Sequence, residues 1–117
     1  MTDYVTFNSV TVPTHHLDKL TLGDAFEAVF SCRTGTYGDI LALQALTPSS
    51  ITTDRVSGGK TRITALGGTK ATLVINGISY SNCYIAEISG ITEAPNSLPF
   101  DEYEFTIRFV QETYSAS

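Results

Sequence analysis

The apolar positions of this chain recur mostly in steps of two. The stretch "TLVINGISY", residues 72–80, shows this best: Asn76-Gly77 sits between two alternating runs, the strongest short-range sign of a β-hairpin. Counting outward from a two-residue turn sets Ile75 opposite Ile78 and Leu73 opposite Tyr80. Ala71, Leu73, Ile75, Ile78 and Tyr80 then share one face; Thr72, Val74, Ser79 and Ser81 share the other. A slip by one residue would exchange the faces, so turn and pattern together fix the register. The run "YEFTIRFVQE" repeats the alternation, with Tyr103, Phe105, Ile107 and Phe109 against Glu104, Thr106 and Arg108, and Val110 as the exception.

The remaining segments are less uniform. Residues 4–12, rich in β-branched and aromatic side chains, read as a strand ended by Pro13. "PTHHLDKLTLGD" reads as a loop or a short extra strand. Residues 25–33 fit a strand, with Phe26, Ala28, Phe30 and Cys32 on one face, better than a helix capped by Asp24. Residues 39–46 stay open: Ile40, Leu43 and Leu46 have helical spacing, whereas Leu41, Leu43 and Ala45 suit a buried strand. Residues 47–70, rich in Thr, Ser and Gly, form a long hairpin or loop excursion with turns at Gly58-Gly59 and Gly67-Gly68. "CYIAEIS" is a further strand ending at Gly90, followed by a loop holding Pro95 and Pro99, and residues 113–117 form a frayed tail. The expected fold is a single mainly β domain over residues 1–117. It is an antiparallel β-sandwich or rolled β-barrel of six to seven strands, with one short helix and an N-terminal arm at 1–18.

Composition changes this picture in two ways. Hydrophobic residues make up 42% of the chain, enough for a packed core. Charged residues make up only 16%, against about 25% in ordinary domains. So sparse a charged surface suits a protein partly covered by other subunits, as well as a bland monomer. The net charge of −5 and the lack of a basic patch argue against sequence-reading nucleic-acid binding. Lys60, Arg62 and Lys70 cluster among glycines, as a solvated loop does. No signal-like leader and no apolar run of membrane-spanning length is present, so a soluble protein made in a reducing cytoplasm is expected, with no membrane partner. Cys32 and Cys83, far apart and outside any C-x-x-C pair, read as buried free thiols, with a disulfide as the alternative.

The search for chemistry gives little. His15, His16 and Asp18 carry metal-ligand atoms but match no metal-binding spacing. Cys83 has no histidine near it in sequence. Asp101, Glu102 and Glu104 sit together at a strand entrance without an opposed partner group. The paired glycines form no phosphate-cradling motif. No catalytic residue, cofactor or metal is therefore expected, and the chain reads as non-enzymatic. Tyr37, Tyr84 and Tyr114 are the aromatics that fall outside the alternating core pattern.

One resemblance adds to this reading. "ATLVINGISYSNCYIAEISG" followed by "FDEYEFTIRFVQE" resembles small β-rich structural proteins of tailed bacteriophages, of the tail-tube, distal-tail and baseplate-hub kind. The likeness covers roughly residues 71–112. It implies a structural protein of the virion tail, neck or baseplate, made in the host cytoplasm and assembled with itself and with other tail proteins. Such proteins form rings, commonly hexamers, around a channel through which DNA passes, with sheets of neighbouring subunits joined edge to edge. On this reading residues 47–70 reach the next subunit. The candidate interface is Thr53, Arg55, Val56, Lys60, Arg62 and Ile63, with Tyr37 and Tyr84. The alternative is a β-sandwich binding module for carbohydrate or a cell surface, or a capsid decoration protein.

Overall fold

A computed structural model describes residues 4–94 and 102–114. The chain is mainly β, with 63% strand and 11% helix. In order it forms β1 (Val5–Phe7), β2 (Val10–Val12), β3 (Thr14–Thr21), β4 (Glu27–Thr34), α1 (Tyr37–Gln44), β5 (Ser50–Arg55), β6 (Thr61–Leu66), β7 (Ala71–Ile75), β8 (Ile78–Ala94) and β9 (Glu102–Gln111). Seven strands make one antiparallel sheet in the order β2-β1-β7-β8-β9-β4-β3, and β5 and β6 pair as a separate hairpin. No helix among the described residues is long and apolar enough to cross a membrane.

The strand order forces curvature. β2 and β3 are the two edges of the sheet, yet only Pro13 separates them in sequence. The sheet must therefore roll until its edges meet there, without closing into a barrel. Proline suits this corner because it has no N–H to leave unpaired at an edge. Its carbonyl accepts the Arg33 N–H at 3.0 Å. Inside the roll lies the core. Phe109 touches Phe7 and Phe30 at ring-centroid distances of 5.4 and 6.1 Å, and all three are fully buried. Ile40 and Leu43 of α1, three residues apart and so on one helix face, complete it. β8 is the longest strand at seventeen residues. It would span roughly 55 Å, close to the 54 Å long axis of the molecule.

The hairpin at residues 71–80 has the expected register, Ile75 opposite Ile78 and Leu73 opposite Tyr80. Asn76 and Gly77 take φ values of 50° and 86°, as a type I′ turn requires. Ile78, the first residue after the turn, shares the apolar face but is 59% exposed, whereas Ile75 opposite it is buried. In β9, Phe105, Ile107 and Phe109 are buried as expected; Val110 is buried as well, on the opposite face, where it lines a cleft together with Thr53 and Thr61 of the β5–β6 hairpin.

Six expectations are corrected or completed. Residues 4–12 are not one strand: Asn8 and Ser9, at φ 53° and 64°, fold the run into the β1–β2 hairpin. The expected arm at 1–18 is built into the sheet from Val5 on, as β1, β2 and the start of β3, and "PTHHLDKLT" supplies all of β3. The open segment 39–46 falls mostly in the helix α1. "CYIAEIS" continues β8 past Asn82, whose φ of 57° marks an irregularity, instead of forming its own strand. The tail begins tethered: the Thr113 and Tyr114 N–H groups both donate to the Thr61 carbonyl at 3.0 Å. The loop with Pro95 and Pro99, Asp101, and residues 115–117 lie outside the described residues.

Candidate functional site

The β5–β6 hairpin gathers most of the candidate interface residues, but they do not form one exposed patch. Thr53 and Arg55 are exposed on β5, with the Arg55 guanidinium donating to the Gly59 carbonyl across the tip at 3.0 Å. Val56 is half-buried. Arg62 reaches Asp54 at 3.7 Å, and Lys60 reaches Asp24 at 3.3 Å. Ile63 leaves the candidate set because its side chain is buried within the chain at 7% exposure. Its N–H donates to Glu112 Oε2 at 2.7 Å. The hairpin base is held by a series of polar contacts. The Thr61 hydroxyl donates to the Asp24 carbonyl, the Thr61 N–H donates to the Thr113 hydroxyl at 2.8 Å, and Lys70 pairs with Glu112 at 2.6 Å. Burial pushes the Glu112 carboxyl up, but Lys70 and the Ile63 N–H outweigh it and hold the group below its ordinary value. At the exit, Gly68 lets the chain pass Pro48, since a Cβ there would lie 2.6 Å from the Pro48 nitrogen.

The two tyrosines lie far from each other. Tyr37 packs edge-on against Tyr103 at 5.3 Å, whereas Tyr84 pairs with Val110 at the other end of β9 and lies beneath the Lys70 ammonium at 5.9 Å.

Several of the residues with reactive groups are tied up in polar contacts. Asp18 accepts from the Ser31 hydroxyl at 2.6 Å and contacts His16 Nδ1 at 2.7 Å, and these two bonds hold its carboxyl below its usual value. The carboxylate sits between hydroxyl and imidazole, so His16 is not placed to take the Ser31 proton as a nucleophile's base must. Glu102 and Glu104 both clamp Arg33, each at 3.1 Å. Cys32 and Cys83 are buried free thiols, each pushed up to about 12 chiefly by burial. At that value neither supplies a thiolate at neutral pH. Among the described residues no group of three His, Cys, Asp or Glu side chains could hold a metal.

What the topology exposes is backbone. β7 pairs only with residues 78–83 of β8, so from Tyr84 to Ala94 one side of β8 has no strand partner among the described residues. β3 is likewise open on its outer side. The rows linking these two edges coincide. Thr21, Leu20, Lys19, Leu17 and His16 on β3 run through β4 and β9 to Tyr84, Ile85, Glu87, Ile88 and Ser89 on β8. On the face away from the core, one row carries Lys19, Val29, Arg108 and Glu87. Glu27 bridges Lys19 at 2.8 Å and Arg108 at 3.2 Å. The Lys19 hydrogen bond, against burial and with the help of Arg108, keeps Glu27 below its ordinary carboxyl value. The charges thus alternate across four strands, with exposed Lys19 at one edge and exposed Glu87 at the other. No local signal could have shown this row, since its members meet only through the strand order.

No family model, no curated protein and no solved structure matches the chain.

Proposed function

We propose that the chain is a non-enzymatic structural component of a phage virion, in the tail tube, baseplate or neck, acting through subunit interfaces around a channel. The observation that supports this most is the open edge of β8. On the side away from β9, residues 84–94 have no strand partner among the described residues, along a strand bearing half-buried Tyr84 and Ile88 and exposed Ile91. An edge of that length and apolarity invites another chain, and stable proteins either blunt such edges or cover them. Leu20, Leu66 and Ile78 are further exposed apolar side chains on the same molecule. Covering by like subunits also accounts for the low charge content. Light scattering on the purified protein across a concentration series tests the reading: a ring-sized mass, or reversible growth toward one, is expected. A strict monomer at the highest concentration overturns it.

A second reading, a carbohydrate- or surface-binding module, draws on the cleft of ≈ 460 Å³ lined by Arg62, Lys70, Asn82, Glu112 and Tyr114. Chemical-shift titration with a panel of sugars tests it; perturbation confined to that cleft would favour it over assembly.

A further inference from the structure

We propose that copies of this chain join head to tail, the outer edge of β3 in one copy pairing antiparallel with the open edge of β8 in the next. One sheet then runs through successive subunits. The inference rests on the assembly reading and names the two edges that carry it.

Three observations meet here. The first is polarity. In the order β8-β9-β4-β3 every neighbour is antiparallel, so β3 and β8 run in opposite directions at the ends of a four-strand block. A second block placed beside the first in the same orientation therefore sets its β3 antiparallel to β8, and the ladder continues without a change of type. The second is extent. Thr21 and His16 of β3 lie in the same rows as Tyr84 and Ser89 of β8, so the two edges match in length and level.

The third is side-chain complementarity on both faces. Continuing the rows sets Lys19 of one copy opposite Glu87 of the next, which extends the alternation of Lys19, Glu27, Arg108 and Glu87 across the joint. On the core side, Leu17 comes beside half-buried Ile88, and Leu20 comes level with Ile85, whose side chain is already buried in the single chain. Leu20 is 37% exposed in the single chain and Leu17 is half-buried, so both gain cover. Opposite charges and apolar pairs directly across a strand pair are the contacts that stabilise sheets. A two-fold pairing of β8 with β8, or β3 with β3, would instead bring Glu87 toward Glu87 or Lys19 toward Lys19. The joint is heterologous, so it generates a ring when the rotation closes, and the natural twist between strands supplies rotation at each step.

Disulfide trapping tests the pairing directly. Within one chain Lys19 and Glu87 stand three strand spacings apart, about 14 Å, beyond the reach of a disulfide. Any bond between cysteines at these positions must join two chains. The double variant Lys19→Cys/Glu87→Cys is expected to give a ladder of covalent multimers on oxidation. An equimolar mixture of Lys19→Cys and Glu87→Cys proteins is expected to stop at covalent dimers. Both positions are exposed, and circular dichroism should show each variant folded as the parent is. Charge reversal gives an independent readout: Lys19→Glu or Glu87→Lys alone should raise the association midpoint about tenfold or more, and the two together should restore it. If the parent assembles but the double variant forms no ladder, the edge assignment is wrong and the assembly reading stands. Cross-linking by Glu87→Cys alone as efficient as in the mixture also overturns the pairing, in favour of a two-fold joint. A parent that stays monomeric at every concentration overturns both.

Discussion

The rolled sheet and the β5–β6 hairpin are both antiparallel β-structure, but they are held by different forces. The sheet encloses Phe7, Phe30, Phe109, Leu73, Ile85 and Ile107, all fully buried. Its stability is a matter of apolar area removed from water. The hairpin buries only Thr61 and Ile63 among its strand residues and is tied down by named polar contacts to Asp24, Glu112 and Thr113. A region fixed by a few hydrogen bonds can loosen while the rest stays folded. The two halves of the molecule should therefore respond to different perturbations.

Truncating the aromatic centre should have the largest effect. Phe109→Ala is expected to cost about 3–5 kcal/mol, read as one cooperative shift in a urea melt that takes sheet and hairpin together. If the hairpin amides keep their protection while the sheet melts, the two regions are independent and the comparison is wrong. Gly77→Val comes next. Its φ of 86° is open to glycine and strained for a β-branched residue, at a cost of about 1–3 kcal/mol. An unchanged melting temperature would mean the turn accommodates another geometry.

Glu112→Ala should act locally. It leaves the Ile63 N–H without its carboxylate and Lys70 without its partner, an effect of about 1–3 kcal/mol seen as faster amide exchange in residues 50–66 with the sheet unchanged. Acid should reproduce it. Glu112 is held below its ordinary 4.5 in the folded protein, so its contribution is present above that pH and is lost as pH falls through the lowered folded value. Heteronuclear spectra taken down the acid series should show the hairpin signals broaden before those of β4 and β9. Smallest of all is Lys60→Ala. Its pairing with Asp24 is largely exposed, so the change should stay within about 0–1 kcal/mol; a larger loss would mean the hairpin tip is held more tightly than its contacts indicate.

The sequence was most legible where one local device decided the conformation. Asn76-Gly77 specified turn and register together, and the alternation of Phe105, Ile107 and Phe109 specified a face. It was least legible where a local exception interrupted a good pattern. Asn8 and Ser9 turn the chain inside a β-branched run, and Ser9 at φ 64° gives no warning that glycine would have given. Asn82 does the reverse: it looks like the end of a strand, yet β8 runs on through it. The helix α1 has apolar side chains on more than one face, with Leu41 52% exposed, so periodicity could not separate it from a strand. The candidate interface fared likewise. Thr53, Arg55 and Lys60 could be placed on one excursion from composition, whereas Lys19 and Glu87 acquire their relation only through β4 and β9.

Pro13 joins the two margins of the sheet by a single residue, and this has a kinetic corollary. Strands adjacent in sequence usually zip together early, but β2 and β3 pair with β1 and β4 and not with each other. Each margin can zip onto its own neighbour as a local hairpin, but the two meet at that one link only once the intervening strands have curled. Their junction should then lock late and open early, so that amides flanking Pro13 exchange before those inside either hairpin when native-state hydrogen exchange is followed.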